Sequence, residues 1–110
     1  MNREQAMSLT DYFPEHIRSL PAYEGQFEAY ELTGRQCRVL FGSYPAGSVV
    51  EAHSHDTDNV GIITRGELRL TMDGVTSVIR AGEWYHVPKG KEHAAEFAVD
   101  TADIEFWFSD

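Results

Sequence analysis

With 110 residues, one cysteine and a net charge of −9 from 18 acidic against 9 basic side chains, the chain has room for one modest core and cannot form an internal disulfide. That charge gives it no general attraction for nucleic acid or anionic lipid, so neither is expected as a partner. A content of 42% hydrophobic and 12% aromatic residues argues against disorder, and no apolar run approaches the roughly 20 residues of a membrane span. The acidic residues are spread along the chain and read as a solvated surface. The polar start, Met1–Asp11, has no apolar signal-type run; with the single Cys37 it leads us to expect a reducing, cytoplasmic setting.

The first stretch, Met1–Leu20, reads as an arm. Thr10 or Asp11 can cap a short helical turn, and Pro14 and Pro21 stop anything longer. Tyr12, Phe13 and Ile17 can cover the chain's own core or that of a partner, and His16 reads as a surface residue. We therefore divide the chain into an N-terminal arm, 1–22, and one domain, 23–110. From Gln26 onward the pattern is all-β. Phe27–Leu32 and Gln36–Tyr44 are strand-like about a turn at Gly34, and Cys37 in the second reads as a small buried apolar side chain. Pro45–Gly47 turns into Val49–His55. Val60–Thr64 follows, and then Glu67–Met72, where Leu68, Leu70 and Met72 alternate with polar residues. Asp73–Gly74 is the strongest hairpin signal in the chain and leads into Val75–Arg80. Trp84–Val87, His93–Val99 and Ala102–Phe108 complete the set. Short strands with a turn every 8–12 residues or so imply a sandwich or barrel.

Two stretches carry the chemistry. In Val49–His55, His53 and His55 lie two apart, and a strand has a side-chain period of two, so both imidazoles leave one face. Neutral ring nitrogens so placed can close on one metal ion at about 2.0–2.1 Å. His93, from a different strand beyond the Pro88–Gly90 turn, can supply a third imidazole to the interior of a closed sheet.

Together the two stretches resemble the cupin superfamily. Its first motif, G-x5-HxH-x3-E-x6-G, is matched by Gly47, His53, His55, Asn59 and Gly66; its second, G-x5-PxG-x2-H-x3-N, by Gly82, Pro88, Gly90, His93 and Phe97. Every spacing is kept as far as His93, and the 15 residues between the motifs, Glu67–Ala81, match the smallest bacterial cupins. Two positions depart: Asn59 stands for Glu and Phe97 for Asn. The resemblance implies a double-stranded β-helix, a jelly-roll-like cupin barrel, with a metal held by His53, His55 and His93 and an inward-facing Asn59. Asn59 either adds a neutral amide oxygen, weaker toward transition metals than a carboxylate, or only bonds a neighbour. Asp56 and Asp58 are reserve ligands, more simply read as solvated turn acids. The ligand set does not separate Fe, Mn, Ni, Cu and Zn. A homodimer is implied by the habit of small cupins.

With Asn59 and the three histidines inward, Gly61 and Ile63 share their face; Gly61 either leaves space beside the metal or marks a barrel corner. Ala95 and Phe97 share the face of His93. On the last strand Ile104, Phe106 and Phe108 oppose Glu105 and Trp107. Apolar residues inside with Glu105 out is the ordinary arrangement; the reverse would give the pocket an acid and a stacking wall. His86, Glu51 and Glu105 are the candidate acid–base residues, each with a plain surface reading beside it. Arg65, Arg69 and Arg80 can pair with a substrate carboxylate but read more simply as solvated strand residues. A metal with no carboxylate ligand keeps its charge and suits a small polar, carboxylate-bearing or sugar-acid ligand. The expected activity is that of a small metal-dependent isomerase, lyase or dioxygenase. The alternative is a non-catalytic ligand-binding or sensor cupin.

Overall fold

The computed structural model describes residues 12–109. Among these residues nine strands follow one short helix: α1 (Glu15–Arg18), β1 (Glu28–Gly34), β2 (Cys37–Tyr44), β3 (Val49–His53), β4 (Asp58–Arg65), β5 (Glu67–Met72), β6 (Val75–Arg80), β7 (Trp84–Val87), β8 (His93–Glu96) and β9 (Thr101–Phe108). They form two antiparallel sheets, one in the order β1-β2-β9-β4-β7 and one in the order β3-β8-β5-β6. This is the expected all-β jelly-roll-like barrel with a short N-terminal arm. Among the described residues no helix is long and apolar enough to cross a membrane.

The β5–β6 hairpin shows how local chemistry sets the register. Asp73 and Gly74 both adopt positive φ, 53° and 74°, as a type I′ turn requires, and Met72 pairs with Val75 directly across it. Leu68 and Leu70 then face inward, packing with Tyr44, Ile63, Ile79, Val87 and Phe97 in the main core cluster. Two strands end earlier than their sequence pattern: β3 stops at His53 and β8 at Glu96.

The last strand departs from the ordinary arrangement. Thr101, Asp103, Glu105 and Trp107 are buried inward, whereas Ile104 and Phe106 are half-buried outside and Phe108 is exposed. The reason lies in the neighbours of β9. Val39, Phe106 and Val60 stand in one row across β2, β9 and β4, and Phe41, Ile104 and Ile62 in the next. The outer face of this sheet is therefore an apolar surface in its own right, and cross-strand contact keeps the aromatics there. Cys37 lies on that face and is half-buried rather than buried.

The arm covers part of the same face. Phe13 is 6% exposed and meets the Phe41 ring edge-on at 5.7 Å, while Arg65 lies over the Tyr12 ring at 3.8 Å. Tyr12 and Phe13 thus pack on their own chain. His16 is exposed, and the capping positions Thr10 and Asp11 lie outside the described residues.

Candidate metal centre and cavity

The two sheets enclose a cavity of about 50 Å³. Three imidazoles stand in its wall. In β3 and β8, Val49 pairs with Glu96 and Val50 with Ala95; a bulge then sets His53 opposite His93. Such a bulge re-aims side chains at the end of a strand. His55 follows two residues beyond β3, and its carbonyl accepts a hydrogen bond from the Gly90 N–H at 2.8 Å, which ties the Pro88–Gly90 turn to the histidine pair. The potential ligand nitrogens of His53, His55 and His93 all lie within 4.8 Å of one another.

The hydrogen bonds of the rings fit a metal. Nδ1–H of His53 donates to the Glu51 carbonyl at 2.7 Å, and Nδ1–H of His93 to the Lys91 carbonyl at 3.0 Å. Both Nε2 lone pairs are left for the cavity, the arrangement usual for a metal-binding imidazole. Nε2 of His53 and Nε2 of His55 are 3.0 Å apart. Ligands at about 2.1 Å on adjacent corners of an octahedron stand about 3.0 Å apart, so a cation between the rings needs no rearrangement of this pair. Burial, with the neighbouring His53 and His93, lowers the His55 pKa to about 4. Burial also lowers His93, against the Lys91 carbonyl, which raises it. These two rings are therefore held neutral at neutral pH, the form that binds metal. Asn59 is 6% exposed and lines the same cavity; its Oδ1 accepts from the Thr57 hydroxyl at 2.6 Å, which leaves one lone pair on that oxygen.

The other end of the cavity is acidic. Glu105 accepts from the Tyr44 hydroxyl at 2.6 Å and from Trp107 Nε1–H at 3.0 Å. Asp103, 1% exposed, accepts from the Tyr85 hydroxyl at 3.0 Å. Burial and the adjacent Glu105 push the Asp103 carboxyl well above the usual range, and burial with these acids raises both tyrosines as well. Trp107 joins the two ends: its ring packs on His55 with centroids 4.6 Å apart while its N–H holds Glu105. Arg38 lies over the same indole at 5.2 Å and pairs with Glu31 at 2.6 Å.

The structure thus brings together His53, His55, His93, Asn59 and Glu105. It does not bring Glu51 or His86 to them. The Glu51 side chain is exposed, and only its carbonyl serves the site. His86 stands on the outer face, bonded to Asp58 at 2.9 Å with both side chains about half exposed, because it alternates with the inward Val87. Asp58 is occupied by that contact, and Asp56 is exposed. Gly61 faces inward, but a Cβ there would run into the Tyr85 ring, so tyrosine and not a ligand takes the space. Ala95 and Phe97 line the cavity as expected. Asp103, Tyr44 and Tyr85 escaped sequence reasoning; the signal for Asp103 was its parity with Glu105 in a strand otherwise rich in apolar residues.

A family model described as the cupin domain matches residues 40–108. The chain is a member of the cupin family. Solved cupin-fold structures superpose on it at low identity. An RmlC-like cupin from Shewanella frigidimarina is 21% identical, with 89% of this chain and 88% of that one covered and a TM-score of 0.75. KdgF from a Halomonas species is 15% identical over 81% and 87%, with a TM-score of 0.72. A putative ethanolamine utilization protein Q from Salmonella typhimurium is 16% identical over 74% and 68%, with a TM-score of 0.67. At these identities the likeness is one of fold, and one fold hosts many chemistries. The cupin barrel accounts for the setting of the imidazoles; the acid pair is read from this chain's own residues.

Proposed function

We propose that this cupin is a small metal-dependent enzyme acting on a small polar molecule that bears a carboxylate or a sugar-acid group. The observation that carries this reading is the cluster of three imidazoles whose ligand nitrogens lie within 4.8 Å of one another, with Nδ1 of His53 and of His93 bonded to backbone carbonyls. His53, His55 and His93 hold the divalent metal, Fe, Mn, Ni, Cu or Zn, and Asn59 stands by as a neutral oxygen ligand. The metal, when bound, supplies Lewis acidity toward a carbonyl or hydroxyl oxygen. The apolar walls, Leu68, Leu70, Val87 and Phe97, exclude water around it. Relatives of the same fold with names such as ethanolamine utilization protein Q fit a metabolic, small-molecule role. A cytoplasmic homodimer belongs to the same reading, with the outer face around Trp84, Phe106 and Phe108 as its contact; light scattering on Phe108→Ser tests it.

Screening the metal-loaded protein against small hydroxy-acids, keto-acids and sugar acids tests the enzyme reading. Turnover that requires metal and disappears in His93→Ala is expected. Saturable binding without turnover would move the protein to the alternative class, a ligand-binding or sensor cupin.

A further inference from the structure

The floor of the cavity asks for an explanation of its own. Asp103 and Glu105 lie two apart on β9 and face the same way, so their carboxyl groups are neighbours inside the barrel. Adjacent carboxylates buried away from water repel each other, which favours a proton between them. The hydrogen bonds apportion the proton. Glu105 receives two donors, Tyr44 Oη–H and Trp107 Nε1–H, one to each oxygen. Asp103 receives one side-chain donor, from Tyr85 to Oδ2; the Gly42 N–H beside it favours the ionised form more weakly than burial and Glu105 oppose it, and its buried Oδ1 has no hydrogen-bond partner of ordinary geometry among the described residues. A carboxyl oxygen in that position is satisfied if it carries the proton and donates toward its neighbour. The cavity is small, with room for a few waters at ~10–15 Å³ each. The imidazoles and both acids line this one cavity together.

We propose that Asp103 and Glu105 share one proton and form the proton-exchanging pair of this site, so that its chemistry is proton transfer on a small hydroxy- or keto-bearing ligand rather than oxidation. The proposal rests on the metal reading for the placement of the ligand, not for the existence of the pair. The step balances without any oxidant. Glu105 takes a proton from the carbon beside a carbonyl, and the electron pair of that C–H bond moves to form a C=C bond as the carbonyl oxygen accepts the Asp103 proton. On an α-hydroxy carbonyl ligand, Glu105 then delivers its proton to the former carbonyl carbon while the neighbouring hydroxyl gives its proton to Asp103 and becomes the new carbonyl, which yields an isomer of the starting molecule and restores the pair. Tyr44 and Tyr85 hold the two acids in position, and Trp107 fixes Glu105 relative to His55. The acidic floor also orients the ligand: it repels a carboxylate, which stays toward the imidazoles, and accepts a hydroxyl or carbonyl. The other titratable groups turned toward the pair are Tyr23 and His93.

Two measurements on the same proteins test this. Infrared spectra of the protein in D2O at neutral pH are expected to show the carbonyl band of a protonated carboxyl group, lost in both Asp103→Asn and Glu105→Gln. With pyruvate as probe, NMR is expected to show deuterium entering the methyl group at least tenfold faster with the metal-loaded protein than without, the excess vanishing in either variant. Circular dichroism verifies the fold of each variant, and elemental analysis reports its metal. A missing band, a band unchanged in both folded variants, or exchange that neither substitution slows or that never exceeds the protein-free rate overturns the proposal. If instead the band is present and the protein takes up no metal, the metal reading fails while the shared proton stands.

Discussion

Strands β5 and β9 face the same cavity from different sheets and are patterned in opposite ways. In β5 the apolar residues Leu68 and Leu70 point inward and the charged Glu67 and Arg69 point out. In β9 the acids Asp103 and Glu105 point inward and Ile104 and Phe106 point out. The first strand obeys the rule that apolar side chains make the core; the second sets polar groups inside and spends hydrogen bonds from Tyr44, Tyr85 and Trp107 to keep them there. A strand that breaks the rule at such a cost is where function is to be sought.

The contrast can be broken by substitution. The largest effect is expected on the β5 side: Leu70→Ala removes a buried wall and should cost about 2–5 kcal/mol in urea unfolding. On the β9 side, Tyr44→Phe leaves the stack on Phe97 intact, at 4.0 Å between centroids, but removes a donor from buried Glu105. It should cost about 1–3 kcal/mol. Asp103→Asn should do the reverse and stabilise the protein at neutral pH by about 0.5–2 kcal/mol while removing proton exchange. Its pH dependence follows from the raised carboxyl: the wild-type acid contributes stability below its ordinary pKa of 3.8 and loses it as pH rises through the folded value, so the advantage of the amide grows with pH. Chemical unfolding of both proteins between pH 4 and 8 would check it. In the metal-free protein His55 acts in the opposite sense. Its folded pKa of about 4 lies below the ordinary 6.5, so stability falls as pH drops from 6.5 toward 4. The smallest effect is expected on the outer face, where Phe108→Ser, at a side chain 45% exposed, should change monomer stability by under about 0.5 kcal/mol. A larger loss that depends on protein concentration would mean that a partner covers that face.

The same contrast explains what was legible in the sequence. Strand existence followed from alternation and turn residues, and the β5–β6 hairpin from Asp73–Gly74 alone. The imidazole cluster followed from the spacing of the two motifs, because a period of two fixes the face of His53 and His55. The acid floor did not. Alternation gives two faces of β9 but not their direction, and apolar residues on both sides of the five-stranded sheet removed the usual cue. Gly61 read as space for a ligand because the Tyr85 ring that fills it comes from β7 and is distant in sequence. His86 lies on the exposed face of β7 with Trp84, because it alternates with the inward Val87, and Glu51 sits in the irregular register between Val50 and His53 with its side chain exposed.

On the proposed reading three imidazoles, rather than the fold alone, set what this cupin does. Elemental analysis of the purified, untagged protein beside His53→Ala tests it most directly. Close to one transition-metal ion per chain is expected in the wild type and none in the folded variant. A wild type that stays metal-free even after reconstitution with Fe, Mn, Ni, Cu and Zn would contradict it.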